Sequence, residues 1–218
     1  MPTLIDPLTT PSTTLYLTED RSCWVRLFSL SSDTKQKYAI GGEIFDVLWN
    51  LHPATFGKVK IYGREISTPR WQQSYLRDYS FSGTTNVALP LPEEFSSLHH
   101  SCNSRLGYGD FNQVLINWYQ DGSHNIGAHS DDERQLVPDS PIVTVSLGGD
   151  GDVTRIFRIK PRPKCVGSQY DRLDVVLRHG TVLVMGGKMQ KFFTHEIPKI
   201  TGKTQPPRRI SVTLRQFA

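Results

Sequence analysis

Arg209-Ile210-Ser211-Val212-Thr213-Leu214-Arg215 alternates without a break. On an extended strand Ile210, Val212 and Leu214 share one face, and Arg209, Ser211, Thr213 and Arg215 share the other. Six more short apolar or alternating runs lie upstream: Gln113–Tyr119, Pro141–Leu147, Thr154–Ile159, Leu173–Arg178, Thr181–Met185 and Lys191–Ile197. Gly, Asp, Pro and Asn clusters separate them. This rhythm predicts a sandwich or jelly roll. Two amphipathic helices are expected before it. Glu43–Leu51 places Ile44, Phe45, Leu48 and Leu51 at helical spacing and stops before Pro53. A second helix starts at Pro92, with Phe95, Leu98 and Cys102 on one side. The fold class is therefore mainly β with flanking helices (α+β), the helices buttressing one face. Residues 1–20, rich in Thr and Pro, read as a flexible tail before a single domain over 21–218.

The 218 residues suffice for a core without disulfide or zinc staples. Cys23, Cys102 and Cys165 are scattered and odd in number, which fits a reducing compartment. No apolar stretch approaches the ~20 residues of a membrane span. The first 17 residues show no secretory signal. Charge is uneven: residues 155–218 carry 14 Lys and Arg against Asp171, Asp174 and Glu196, while the rest of the chain is net acidic. A basic C-terminal third suits a polyanion, nucleic acid first, and equally a solvated basic surface.

The polar face of Arg209–Arg215 admits two readings. It is a solvent face carrying two arginines, or it lines a cavity where guanidinium groups grip a carboxylate through paired hydrogen bonds. Asn117 and Tyr119, on one face of their run, could hold the same anion or stand as ordinary strand residues. His129-Ser130-Asp131 places two metal-ligating side chains on the same side of an extended segment. Chance supplies roughly half such a pair in this composition, so the pair alone decides nothing. The order that follows adds weight. His195 lies in a strand-like run 64 residues after Asp131, and Arg209 and Arg215 follow it by 14 and 20 residues. Two His and one Asp form a facial triad suited to non-haem Fe(II). A distal arginine suits the far carboxylate of 2-oxoglutarate. No Gly-x-Ser-x-Gly elbow supports a hydrolase.

The stretch from Asn117 to Glu133, then Ser140–Leu147, and the Arg209–Arg215 strand together resemble the AlkB family of Fe(II)/2-oxoglutarate-dependent dioxygenases, nearest its eukaryotic DNA alkylation-repair branch. The likeness runs from about Lys58 to the C-terminus. It implies a double-stranded β-helix (jelly-roll) core at about 109–218 and an N-terminal nucleotide-recognition lid at about 55–85. It implies His129, Asp131 and His195 as iron ligands and as the catalytic set. Asn117, Tyr119, Arg209, Ser211, Thr213 and Arg215 would bind 2-oxoglutarate, with Arg209 on the far carboxylate and Ser211 standing where the family has Asn. Molecular oxygen would be the co-substrate.

The resemblance also implies substrate contacts. Tyr62 would be the wedge that fills the gap left by a flipped base, flanked by Arg64, Pro69 and Arg70. Tyr75 and Tyr79 would stack on that base. Glu133 would accept from its exocyclic amino group, and Asp132 with Glu133 would favour its positive charge. Arg155, Arg158, Lys160, Arg162 and Lys164 would meet phosphates. The implied reaction is oxidative demethylation of 1-methyladenine and 3-methylcytosine in DNA, with RNA as a second polymer, releasing formaldehyde and succinate. Two rival readings are a 2-oxoglutarate oxygenase acting on protein or lipid, and a nucleic-acid-binding module without catalysis. A monomer is expected, with no membrane association, in the nucleus of a eukaryote or otherwise the cytoplasm.

Overall fold

The Arg209–Arg215 strand is buried along its whole length, so each of its faces meets its own layer. The computed structural model describes residues 3–6, 13–42, 44–61, 63–81 and 83–218. In chain order the elements are β1 (Thr3–Ile5), β2 (Thr13–Tyr16), β3 (Cys23–Ser29), α1 (Ser32–Tyr38), α2 (Phe45–Asn50), β4 (Lys58–Ile61), β5 (Arg64–Ser67), β6 (Trp71–Tyr75), β7 (Tyr79–Phe81), β8 (Thr84–Asn86) and α3 (Glu93–Leu106). Then follow β9 (Gln113–Tyr119), β10 (Ile126–His129), β11 (Ile142–Gly148), β12 (Arg155–Pro161), β13 (Leu173–Leu177), β14 (Thr181–Gly187), α4 (Met189–Phe192), β15 (Phe193–Ile197) and β16 (Arg209–Arg215).

A seven-stranded sheet, ordered β2-β3-β14-β11-β16-β9-β6, faces a five-stranded sheet, ordered β1-β13-β12-β15-β10. Helices cover the outer side of the larger sheet. Phe45, Leu48 and Trp49 of α2 and Phe95, Leu98 and Cys102 of α3 pack with Val114, Ile116, Val143, Val145, Ile210 and Val212. The Trp118 indole ties α2 down by donating to Leu48 O at 2.9 Å. Helix α3 begins after Pro92 with Glu93 and Glu94 in its first turn, where negative charge suits the macrodipole, and ends at Gly107, whose φ of 69° only glycine adopts freely. Between the sheets lies a second apolar layer. Val25, Leu27, Ile142, Leu183 and Met185 meet Phe157, Ile159, Leu173, Val175, Phe193 and Ile197. This is a β-sandwich of jelly-roll type with helical buttresses, as the alternating runs and the two amphipathic helices predict.

Three expectations change. The residue 1–20 tail is corrected where it is described: β1 pairs in parallel with β13, β2 pairs antiparallel with β3, and Leu17 and Thr18 are buried. Thr, Ile, Leu and Tyr in these stretches suit a pleated surface, and sheet edges were open to receive them. Residues 1, 2 and 7–12 of that tail lie outside the described residues. The helix expected over Glu43–Leu51 is α2, Phe45–Asn50, with Glu43 outside the described residues. Lys191 and Phe192 belong to the helical turn α4, so that strand begins at Phe193.

Two hairpins, β4–β5 and β7–β8, stand apart from both sheets and together span residues 58–86. Both contribute residues to one cavity, Val59 and Ile66 from the first, Ser80, Phe81 and Thr84 from the second. Among the described residues no helix is long and apolar enough to cross a membrane.

Candidate metal centre and its cavity

Where the sheets splay apart, the layer between them turns polar. A cavity of about 1220 Å³ opens there. His129 ends β10 and His195 sits mid-β15, and the two are cross-strand partners. Such pairing brings side chains on one face within contact, and the imidazole centroids are 4.3 Å apart. Asp131, two residues beyond His129, completes a set whose donor atoms all lie within 4.8 Å of one another. His195 Nε2 is 3.8 Å from Asp131 Oδ2, and His129 Nε2 is 4.0 Å from Asp131 Oδ1.

The surroundings fix the set for cation binding. Burial pushes His195 down to about 3, so its ring is neutral near pH 7. Burial also lowers His129. Burial alone would raise the Asp131 carboxyl, but the groups around it, led by Arg215, whose Nη2 donates to Oδ1 at 3.0 Å, and followed by His195 and His129, outweigh it and hold the group well below the usual carboxylate range. Two neutral imidazoles and one carboxylate on adjoining strand positions are what a divalent transition metal needs, because ligands must be deprotonated to bind. His129 Nδ1 lies 2.8 Å from Gly127 O. Donation there leaves the Nε2 lone pair free for a ligand. Phe157 stacks on His195 with centroids 5.1 Å apart. Asp131 N–H donates to Gln190 Oε1 at 3.0 Å. Ser130 Oγ donates to Phe193 O and accepts from Arg162 Nη2, both at 2.6 Å.

The cavity floor is the polar face of β16 with β9 and β11. Register pairs Arg209 with Tyr119, Ser211 with Asn117, and Ser146 with Ser211. Arg209 Nε donates to Ser146 Oγ at 2.7 Å and Nη2 to Ser211 Oγ at 3.2 Å, while Nη1 is buried without a protein partner. Burial pushes Arg209 down to about 10, so it stays cationic at neutral pH. Arg215 likewise has a buried Nε with no partner. Such orphaned cationic donors are costly unless an anion fills the space. They fit a bound 2-oxo dicarboxylate, whose two ends span from the triad to a distal guanidinium. Arg70, which also lines the cavity, donates from Nε to Asn117 Oδ1 at 2.7 Å and from Nη2 to Gln72 Oε1 at 3.0 Å.

Above the triad, Tyr79 OH donates to Glu133 Oε1 and approaches Asp131 Oδ1 at 3.4 Å. Glu133 Oε2 is buried without a partner. Burial, then Asp131, raises the Glu133 carboxyl, and burial raises Tyr79 well above the usual phenol value. Asp132 is exposed at the rim.

The cavity thus gathers Asn117, Tyr119, His129, Asp131, Asp132, Glu133, His195, Ser211, Thr213, Arg215 and Tyr79, while Arg209 does not line it and is joined to it through Ser211. Other sequence-predicted contacts lie elsewhere. Tyr75 is in the outer core under the helices, where burial raises it to about 12, because β6 turns that position away from the cavity. Arg155 has no exposed surface and cannot reach a phosphate. Arg158 is tied to Asp174 at 2.8 and 3.0 Å and lies 3.7 Å from Glu196. Lys160 pairs with the same Glu196 at 3.3 Å. Arg64 is exposed on β5. Tyr62 lies outside the described residues. Gln190, Gln113, Ser146 and Phe157 carry no signal in the sequence, since only tertiary packing brings Gln190 and Phe157 to the triad, Gln113 to Arg215 and Ser146 to Arg209.

Known proteins resemble this chain in sequence and in fold. The profile of the 2OG-Fe(II) oxygenase superfamily matches residues 45–215. "DNA oxidative demethylase ALKBH2" of Homo sapiens is 34% identical over 164 residues, 73% of this chain and 61% of that protein. "Alpha-ketoglutarate-dependent dioxygenase alkB homolog 3" of Mus musculus is 37% identical over 109 residues, 48% of this chain and 36% of that protein. The matched part spans less than two thirds of the length of these relatives. A solved structure, "The structure of OsALKBH1", shares the fold with a TM-score of 0.58 at 19% identity, covering 94% of this chain and 100% of that one.

Proposed function

The chain belongs to the 2OG-Fe(II) oxygenase superfamily, and from that premise we propose that it demethylates N-alkylated bases, 1-methyladenine and 3-methylcytosine, in DNA. The observation that carries the substrate reading is Glu133. Its Oε1 is held by Tyr79, and its Oε2 is buried, unpartnered and part of the same cavity as the triad. A carboxylate so placed can accept from the exocyclic amino group of a flipped base. It also answers the positive charge that N-methylation fixes on the ring. The relatives named as DNA oxidative demethylases support the same choice.

Iron(II) with 2-oxoglutarate and oxygen supplies hydroxylation of the N-methyl carbon, from which formaldehyde leaves, with succinate as co-product. His129, Asp131 and His195 would hold the iron. Arg209, with its free Nη1, would take the far carboxylate of 2-oxoglutarate, braced by Ser146 and Ser211. Asn117, Tyr119, Thr213 and Arg215 would line the rest of that site. Arg215 keeps Asp131 ionised and oriented. Gln190, Arg162 and Phe157 fix the ligands from outside, as supporting groups do in metal sites. In a eukaryotic cell this reading places the protein in the nucleus.

The test is succinate formation and base repair with Fe(II) and 2-oxoglutarate, on 1-methyladenine oligomers of DNA and RNA, on alkylated controls and on peptides, with His129→Ala beside wild type. Repair of DNA coupled to succinate, absent in the variant, is expected. Turnover only with RNA or with a peptide would overturn the substrate. No Fe(II)-dependent turnover would overturn the site.

A further inference from the structure

Arg155 opens β12 on the inward face shared with Phe157 and Ile159, and it is fully buried. Its Nη1 donates to Asp121 O at 3.2 Å and its Nη2 to His124 O. Both carbonyls belong to the turn between β9 and β10, the link from Tyr119 to the strand carrying His129. Its Nε is buried without a partner. The guanidinium carbon lies 5.4 Å from the centre of the Tyr119 ring, and that of Arg209 lies 5.2 Å from the same ring. Among the described residues neither arginine has a carboxylate within ion-pair distance. Two buried guanidinium groups around one ring oppose each other, and the Asp121 carboxylate, which attracts Arg155, stays beyond ion-pair distance of it. Burial lowers both, and Arg155 further lowers Arg209. Unpaired buried charge is costly to keep. An anion arriving beside Arg209 removes that cost, and an uncharged group does not.

We propose that Arg155 is a positioning residue for the co-substrate. It pins the Asp121–His124 turn that sets Tyr119 and supplies a second buried positive charge behind Arg209, so that the site selects a 2-oxo acid bearing a distal carboxylate. The inference rests on the co-substrate site read above. Hydrogen bonds to carbonyls account for the turn, and the second charge accounts for the selection, so the two roles separate experimentally.

The experiment is calorimetric binding to the full chain loaded with Mn(II), without turnover, of 2-oxoglutarate and of 2-oxopentanoate, which has the same chain length but no distal carboxylate. Wild type should prefer 2-oxoglutarate. Arg155→Gln should bind 2-oxoglutarate about tenfold or more weakly and 2-oxopentanoate less than about threefold more weakly, as loss of a buried charge requires. Arg155→Lys keeps the charge and should keep the preference while binding both acids more weakly. Equal weakening of both acids in Arg155→Gln, or no weakening, overturns the proposal. Should Arg155→Gln fail to fold, Arg155→Lys decides: loss of the preference there overturns it. A wild-type chain without the preference overturns the co-substrate site and the inference together. A wild-type preference that Arg155→Gln leaves intact overturns the inference alone.

Discussion

Replacing Arg215 by methionine strips Asp131 of its partner while leaving a chain of similar length against the Tyr79 ring, whose centre is 4.7 Å from the guanidinium. The pair is 3.0 Å apart, with side chains only 4% and 2% exposed. At an effective dielectric near 20 the Coulomb attraction at that distance is about 5 kcal/mol. Breaking a buried pair by removing one member costs about 3–5 kcal/mol in proteins generally, so both routes agree. The metal-free chain should therefore lose about 3–5 kcal/mol in urea unfolding near neutral pH, with an unchanged m-value. Asp131→Asn should also destabilise, by stranding Arg215. The double variant should cost less than the sum of the single variants, by roughly 1–3 kcal/mol of coupling. The Arg215→Met deficit should shrink as the medium is acidified, because protonating Asp131 removes the stranded charge. A loss under about 1 kcal/mol, or strict additivity, would refute the assignment of Arg215 as the charge that stabilises Asp131.

Other expectations follow from the same packing. Gln190→Leu removes the acceptor for Asp131 N–H and should weaken Co(II) binding about 10–100-fold in a spectroscopic titration. Leu98→Ala, at a fully enclosed position of α3, should cost about 2–5 kcal/mol in thermal or urea unfolding and leave metal affinity unchanged. His195, held to about 3 in the native chain against 6.5 when free, resists protonation that the unfolded chain accepts. Stability from this group is complete above about 6.5 and is lost as pH falls toward 3. His195→Asn should flatten that part of the urea-midpoint profile of the metal-free protein.

Much of the sandwich was legible because its central strands advertise themselves. Arg209–Arg215 alternates, and Gln113–Tyr119 and the run toward Leu147 are apolar and bounded by turn residues. Helix α3 was legible through Phe95, Leu98 and Cys102, which are the residues it buries. Strand β3 was not, because Cys23, Val25 and Leu27 face one core while Trp24 and Phe28 pack on the other on either side of exposed Arg26, which leaves an outer face too apolar to mark a period. Strand β6 hid for the opposite reason: its Gln72 and Ser74 are buried and polar. At the site, His129, Asp131, His195 and the two terminal arginines of β16 were legible from order and spacing. The basic run Arg155–Lys164 was misread as one surface. Strand alternation sends Arg155 inward and sets Arg158 and Lys160 outward against Asp174 and Glu196. Tyr75 and Tyr79 part for another reason: a turn that opens on Leu76, at a φ of 69°, puts them on different strands, β6 and β7.

The first strands have a consequence for how molecules of this protein meet each other. Thr3–Ile5 forms one border of the five-stranded sheet and Thr13–Tyr16 one border of the seven-stranded sheet. One short length of chain therefore hems both sheets. Trimming it away would leave the amide rows of β13 and β3 facing solvent at the same time. Bare rows of that kind recruit strands from other molecules. A shortened protein could thus retain its cavity and still be sticky, and its failing would appear as light scattering in the tube before it appeared as lost chemistry.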